Sequence, residues 1–273
     1  MLRASVALML PEDGPRVTVE RDGHVLLIGL NRPRKFNAFD LQTIDELGAA
    51  YETLGTDPDL RVGVLFSHGQ HFSAGLQLDE VGPEVARRGP QALSGKRRYD
   101  PFGVWAERVP KPVVLAVGGI AFTLSIELAL ACDIVVCGDD VRFRQMEVAR
   151  GLMPFGGATF RAPAQLGWGN AMRMLLTGEE FGAAQALHMG LVQEVVPAGT
   201  QADRAREIAQ VVATQAPLAV QASLANARVA MADGPEAAAL HIRDALPTLL
   251  GSQDAAEGVA SFLERREARF TGR

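Results

Sequence analysis

The sequence predicts an α/β core followed by an all-helical C-terminal subdomain. Two patterns carry this. Over residues 15–200, short β-branched apolar runs alternate with segments of helical period, and over residues 201–273 only helical period remains. A third observation locates the functional centre. In residues 118–133, GGIAFTLSIELALACD, a lone carboxylate, Glu127, sits in a run apolar on every face.

Composition bounds the function classes. Of 273 residues, 48% are hydrophobic and 22% charged, with a net charge of −5. That balance argues against a general nucleic-acid or anionic-membrane surface. No apolar run approaches the roughly 18 residues of a membrane span. The short apolar stretch near the N-terminus runs into Pro11-Glu12-Asp13 and has one Arg before it, a poor signal peptide. Residues 1–14 read as a loose extension, and the expected location is cytoplasmic. Cys132 and Cys137 make no disulfide framework and read as reduced core residues.

Taken in order, Val17-Thr18-Val19 and Val25-Leu26-Leu27-Ile28 flank Asp22-Gly23 and predict a hairpin. Asn31-Arg32-Pro33-Arg34-Lys35 is a cationic loop. Asp40 is placed to cap a helix with Leu41, Ile44, Leu47, Tyr51 and Leu54 on one face. Residues 61–66 form the next strand. Residues 67–78 follow, a loop whose glycines and small side chains let backbone amides face a ligand. His68 and His71 lie in it, but two histidines without a third ligand are poor grounds for a metal site, and none is expected. Residues 81–103, with Arg87-Arg88 and Lys96-Arg97-Arg98, read either as a mobile loop or helix near a binding mouth or as a solvated cationic surface.

Val113-Val114-Leu115-Ala116-Val117 is a buried strand, broken by Gly118-Gly119, with a helix from about Ser125. A helix N-terminus offers free amide donors and partial positive charge. Strand, tight turn, helix start and lone carboxylate together suit an oxyanion held beside an acid or base; the alternative is a core helix whose Glu127 merely caps amides. Strands at 134–137 and 141–144 follow. Glu147 precedes a glycine-rich loop at 151–157 and by itself reads as a solvated surface carboxylate. Helices then dominate, one closed by Gly190 at C′ and another entered at Pro217.

These short matches, in this order, resemble the enoyl-CoA hydratase/isomerase (crotonase) family over nearly the whole chain. The matching residues are Asn31-Arg32-Pro33, Asn37-Ala38, Phe72-Ser73-Ala74-Gly75, Lys111-Pro112 and residues 127–133, then Phe143, Gln145, Glu147, Gly151, Pro154 and Gly156-Gly157. Leu176-Thr177-Gly178, Gly190-Leu191-Val192 and the segment from Glu257-Gly258 to Arg266 complete them. The resemblance implies a crotonase-like ββα spiral core over residues 15–200 and a helical subdomain over 201–273. It implies an acyl-CoA thioester substrate, no separate cofactor, and a trimer or paired trimers. It places the oxyanion-hole amides on Leu76 and Leu124 and the two hydratase carboxyls on Glu127 and Glu147, with Glu147 protonating the α-carbon. Ala74, Arg34, Lys35 and Arg265 would meet CoA, Arg265 from a neighbouring subunit.

One departure stands out. Thr123-Leu124-Ser125 occupies positions where family hydratases have glycines. Glycine allows positive φ, whereas Thr is stiff and branched. Because both glutamates are present, hydration of a 2-enoyl-CoA is the first reading, with an altered substrate or slower chemistry expected from the departure. An enoyl-CoA isomerase, or a protein that binds acyl-CoA without turnover, are the alternatives.

Overall fold

A computed structural model describes residues 14–94 and 97–273. The N-terminal extension up to residue 13 and Lys96 of the cationic run lie outside the described residues. The chain opens with β1 (Val17–Asp22) and β2 (Val25–Leu30), paired antiparallel as the Asp22-Gly23 turn requires. In α1 (Leu41–Thr56), the Asp40 carboxylate accepts from the Thr43 amide at 2.7 Å and caps the helix. Ile44, Leu47, Tyr51 and Leu54 are buried on its inner face.

β3 (Val62–Ser67), α2 (Leu78–Arg88), β4 (Val113–Val117), β5 (Ile120–Phe122) and α3 (Leu124–Ala131) follow. Residues 78–88 are thus helical, and a 3-10 turn spans Pro90–Ser94. α3 begins at Leu124, one residue before the position expected from sequence. β5 was not expected: three residues between a glycine pair and a helix give no readable period. β6 (Ile134–Gly138), β7 (Arg142–Arg144), α4 (Ala158–Leu166) and α5 (Trp168–Thr177) come next. β8 (Glu180–Gly182) is a second strand too short to read from sequence. α6 (Ala183–Met189) ends at Gly190 with φ +86°, and β9 (Glu194–Val196) completes the strands.

The large sheet runs β1-β2-β3-β4-β6-β9, parallel from β2 onward. The small sheet is β5-β7-β8. Successive units leave the large sheet, cross the small one and enter a helix: β4 leads to β5 and α3, and β6 leads to β7 and a 3-10 turn at Glu147–Arg150. The unit before them does the same in miniature, because Ser73 pairs with Ala121 in a parallel bridge between β3 and α2. This repeating ββα unit is what sets the site.

The four C-terminal helices are α7 (Gln201–Ala213), α8 (Pro217–Asp233), α9 (Pro235–Leu250) and α10 (Gln253–Glu264). α7 lies on the large sheet: Ala205, Ala209 and Ala213 pack with Val62, Val64, Val114 and Val136. Its small residues let the helix approach the sheet closely. α8 to α10 extend beyond the sheet, with Met231, Leu240, Leu250 and Phe262 exposed. No single described helix is long and apolar enough to cross a membrane. The close approach of α7 has a checkable consequence. Ala209→Leu forces side chain into a filled interface and is expected to lower stability by about 1–3 kcal/mol in urea denaturation, whereas the same change at exposed Val211 should be near neutral.

Candidate active site

Three exits from the short strands meet at one cavity. Ser73 N–H donates to Ile120 O at 3.1 Å, and Phe122 N–H donates back to Ser73 O at 3.0 Å. β5 pairs with β7 in register, Phe122 opposite Arg144, and Thr123 N–H donates to Arg144 O at 2.9 Å. Just past these pairs the chain delivers Leu76 from the first unit, Leu124 and Glu127 from the second, and Glu147 from the third. All four line a cavity of about 170 Å³, with Ala74, Thr123, Met146, Arg150 and apolar walls that include Leu78, Leu152 and Phe155.

Neither Leu76 N–H nor Leu124 N–H donates to an acceptor among the described residues. Leu124 is the first residue of α3, where an amide has no intrahelical partner. Leu76 follows Gly75, whose own N–H is held by Ser73 Oγ at 3.0 Å. Gly75 has φ +91°, and a Cβ there would overlap Thr123 Oγ1. The loop before Leu76 therefore lies against the turn before Leu124, and only a glycine permits that approach.

Thr123 itself has φ +50° and ψ −115°. For a β-branched residue this is a strained conformation, of the kind that costs about 1–3 kcal/mol. The turn keeps the geometry that glycine adopts freely, and here Thr adopts it. Ser125 donates its hydroxyl to Ser73 O at 3.1 Å, a bond no glycine could make. The departure noted in the sequence thus holds the two turns together while Leu124 N–H stays unpaired.

Glu127 is 1% exposed. Its Oε1 accepts from Gly156 N–H at 2.8 Å and Ala158 N–H at 3.0 Å, at the start of α4. A Cβ on Gly156 would come within 3.0 Å of Glu127 Oε2. Burial pushes the carboxyl up to about 7, against the pull of those two amides and the Arg161 guanidinium. Glu147 is 9% exposed. Gln145 Nε2 donates to its Oε1 at 2.9 Å, and its Oε2 is buried without a partner among the described residues. Burial, then the nearby Glu127 charge, raises this carboxyl to about 7 as well. The Glu127 charge thus acts on Glu147, and the two carboxyls are electrostatically coupled.

Not every residue singled out in the sequence lies here. Arg34 and Lys35 are exposed on a 3-10 turn outside the cavity lining. That turn is strapped to the site loop, since Ala74 N–H donates to Phe36 O at 2.8 Å. Arg265 is exposed at the C-cap of α10 and is not among the lining residues. His68 and His71 are engaged locally: His68 Nε2 bonds Thr18 Oγ1 at 2.8 Å, and His71 Nδ1 accepts from Ile120 N–H at 3.3 Å. Two contributors gave little signal in sequence. Asn37, with φ +50°, donates to His68 O and His71 O and so ties the first loop to the second. Arg150 is a cation on the cavity wall, where sequence offered only a loop.

The model of the enoyl-CoA hydratase/isomerase family matches residues 20–273. Carnitinyl-CoA dehydratase of Escherichia coli (strain K12) is 36% identical over 261 residues, covering 93% of this chain and 97% of that protein. The 2,3-dehydroadipyl-CoA hydratase of the same strain is 34% identical over 257 residues, covering 93% and 98%. The crystal structure of a probable enoyl-CoA hydratase/isomerase from Mycobacterium abscessus superposes with a TM-score of 0.92 at 46% identity, over 96% of this chain and all of that one (100%). An enoyl-CoA hydratase from Mycobacterium tuberculosis H37Rv gives 0.86 at 32% identity, over 95% and 100%.

The two facing turns should respond oppositely to substitution. Gly75→Ala meets both a steric overlap and an unfavourable φ, and is expected to lower stability by more than about 1 kcal/mol. Thr123→Gly relieves strain and loosens the unfolded chain, two effects that oppose each other within about 1–3 kcal/mol. It should leave stability equal or higher. Urea denaturation of the two variants beside the parent protein checks both.

Proposed function

The chain belongs to the enoyl-CoA hydratase/isomerase family, and we propose that it adds water across the double bond of a 2-enoyl-CoA to give a 3-hydroxyacyl-CoA, or runs the reverse dehydration. One observation carries the reading: two buried carboxyls with raised pKa values line a single cavity with two unpaired backbone N–H groups. An isomerase needs one carboxyl to shuttle a proton, whereas hydration needs an acid and a base together.

In this mechanism the thioester oxygen lies between the N–H groups of Leu76 and Leu124. Ionised Glu127 takes a proton from water as the water oxygen bonds to the β-carbon. The double-bond electrons move toward the thioester oxygen, and the two amides stabilise the enolate; one such donor is typically worth about 3 kcal/mol. Protonated Glu147 gives its proton to the α-carbon, and the pair exchanges one proton to reset. Every step falls to the protein's own groups and to the CoA thioester as substrate, so the reading calls for no metal or redox cofactor. Arg34 and Lys35 are proposed to meet the CoA phosphates, and Arg265 the ligand of a neighbouring subunit. The exposed apolar side chains of α9 and α10 suit the subunit contacts of a trimer or paired trimers.

The acyl end is assigned to Arg150, a cation of the cavity lining with no ion pair among the described residues. The two relatives named above suggest opposite ends, since a dehydroadipyl chain carries a carboxylate and a carnitinyl chain a quaternary ammonium. A lining cation favours the carboxylate.

Loss of the conjugated thioester absorbance on incubation with crotonyl-CoA tests the reaction. Glu127→Gln and Glu147→Gln should each slow it by about 100-fold or more. No turnover in either direction would leave the binding-protein alternative. The dependence of kcat/KM on pH should be a bell, its limbs drawn toward neutrality from the ordinary carboxylate range. Stability should follow the same groups with a definite sign. A carboxyl raised in the folded state keeps its proton there after the unfolded chain has lost it. Its contribution is therefore full below about 4.5 and is lost as pH rises toward about 7. Glu147→Gln, which cannot ionise, should accordingly melt higher than the parent at pH 8 while being slower. Arg150→Ala should lower kcat/KM for 2,3-dehydroadipyl-CoA by about ten-fold, with a smaller effect on crotonyl-CoA.

A further inference from the structure

A second cavity, of about 620 Å³, lies between α8 and the C-terminal end of α3, with α4 and the turn after α6 closing its sides. It shares no lining residue with the first. Among the described residues, three guanidinium groups line it, those of Arg108, Arg161 and Arg228, against a single carboxylate, Asp133.

The three cations are held mainly by neutral groups. Arg108 Nη2 donates to Ala131 O at 2.6 Å. Arg161 donates to Gly156 O at 3.3 Å and Gly103 O at 2.9 Å. Arg228 donates to Val109 O at 2.7 Å and Asp133 Oδ1 at 3.1 Å, and its Nε is buried with no partner among the described residues. Asp133 already spends Oδ2 on the Val113 amide. The other carboxylates acting on Arg161 are Asp100, which accepts from the amides of Phe102, Val104 and Trp105, and Glu127 of the first cavity, and neither lines this one. Cys132 and Tyr51 bring no negative charge, because burial pushes both far up. Burial and mutual repulsion also make the cations costly: Arg161 is drawn down to about 10 by desolvation, then by Arg108. Among the described residues, the lining of the recess thus carries three cations and one carboxylate, the other acidic groups that act on Arg161 lying outside it. The rest of the wall is largely apolar, with Leu191, Leu224 and Met231 prominent.

We propose that this recess binds an organic anion with an apolar body, its carboxylate against Arg108, Arg161 and Arg228 and its chain along Leu191, Leu224 and Met231. A bare inorganic oxyanion would satisfy the charge and leave most of the volume and the apolar wall unfilled. The occupant is a ligand of this second cavity, whose lining residues are distinct from those of the first.

Isothermal titration of the full-length protein with octanoate, octanamide and inorganic phosphate tests this. Octanoate should bind saturably, one per chain, with Kd below about 1 mM. Octanamide, equal in shape and without charge, should bind at least about ten-fold more weakly, and so should phosphate. Arg108→Gln should weaken octanoate binding by about ten-fold or more. Ala227 is exposed on α8 at the cavity lip. Ala227→Glu supplies a carboxylate in place of the ligand's and should abolish binding at an unchanged melting temperature. That second variant separates loss of the site from loss of the fold. Absence of saturable octanoate binding, equal binding of octanamide or phosphate, or undiminished binding by Ala227→Glu would each overturn the proposal.

Discussion

The parallel pairing of Ser73 with Ala121, and of β5 with β7, is the constraint on which the rest depends. These pairs are few and short, yet they align the ends of three successive ββα units. A main-chain amide or a carboxyl emerges just after each. Because the short strands are hydrogen-bonded in register, the residues that follow them have little freedom to drift apart. The large sheet and the α7 alanines packed on it provide the rigid base. The chemistry then needs only the right residue at each exit.

That arrangement sets the protein's electrostatics against its stability. Two carboxyls are buried in one cavity, and burial raises both above the ordinary carboxylate range. A fold selected for stability alone would pair them with cations. Here Glu127 is held by two amides at the start of α4, and Glu147 by one side-chain amide, with an oxygen left free. Those partners fix position while both carboxyls stay raised above the ordinary carboxylate range. The same trade appears in the turn at Thr123, where a branched residue accepts a backbone conformation suited to glycine and Ser125 adds a hydrogen bond across the two loops.

Much of the site was legible because its residues are chemically out of place. A carboxylate in an all-apolar helix start stands out, so Glu127 could be singled out from the residues alone, although a core helix whose Glu127 merely caps amides fitted the pattern equally well. Glu147 could not: in sequence it precedes a glycine-rich loop and reads as surface. Only the family resemblance raised it, and only the β7 exit explains why it is buried. Arg150 and Asn37 gave weaker signals still. One is a single cation in a loop, and the other acts through two carbonyls more than thirty residues away, His68 at 31 and His71 at 34.

The β1–β2 hairpin, the Asp40 cap, the Gly190 stop and the helical tail were set by local chemistry: periodicity, capping side chains and glycine's access to positive φ. These depend on residues near one another in the chain, so the sequence by itself determined them. β5 and β8 were decided by tertiary structure, since a three-residue strand has no period and exists only through its neighbours. So were the packing of α7 on the sheet, the contact between Gly75 and Thr123, and the gathering of Arg108, Arg161 and Arg228. Each joins residues distant in the chain, and their energies depend on burial and on the shape of the partner, which no local pattern carries.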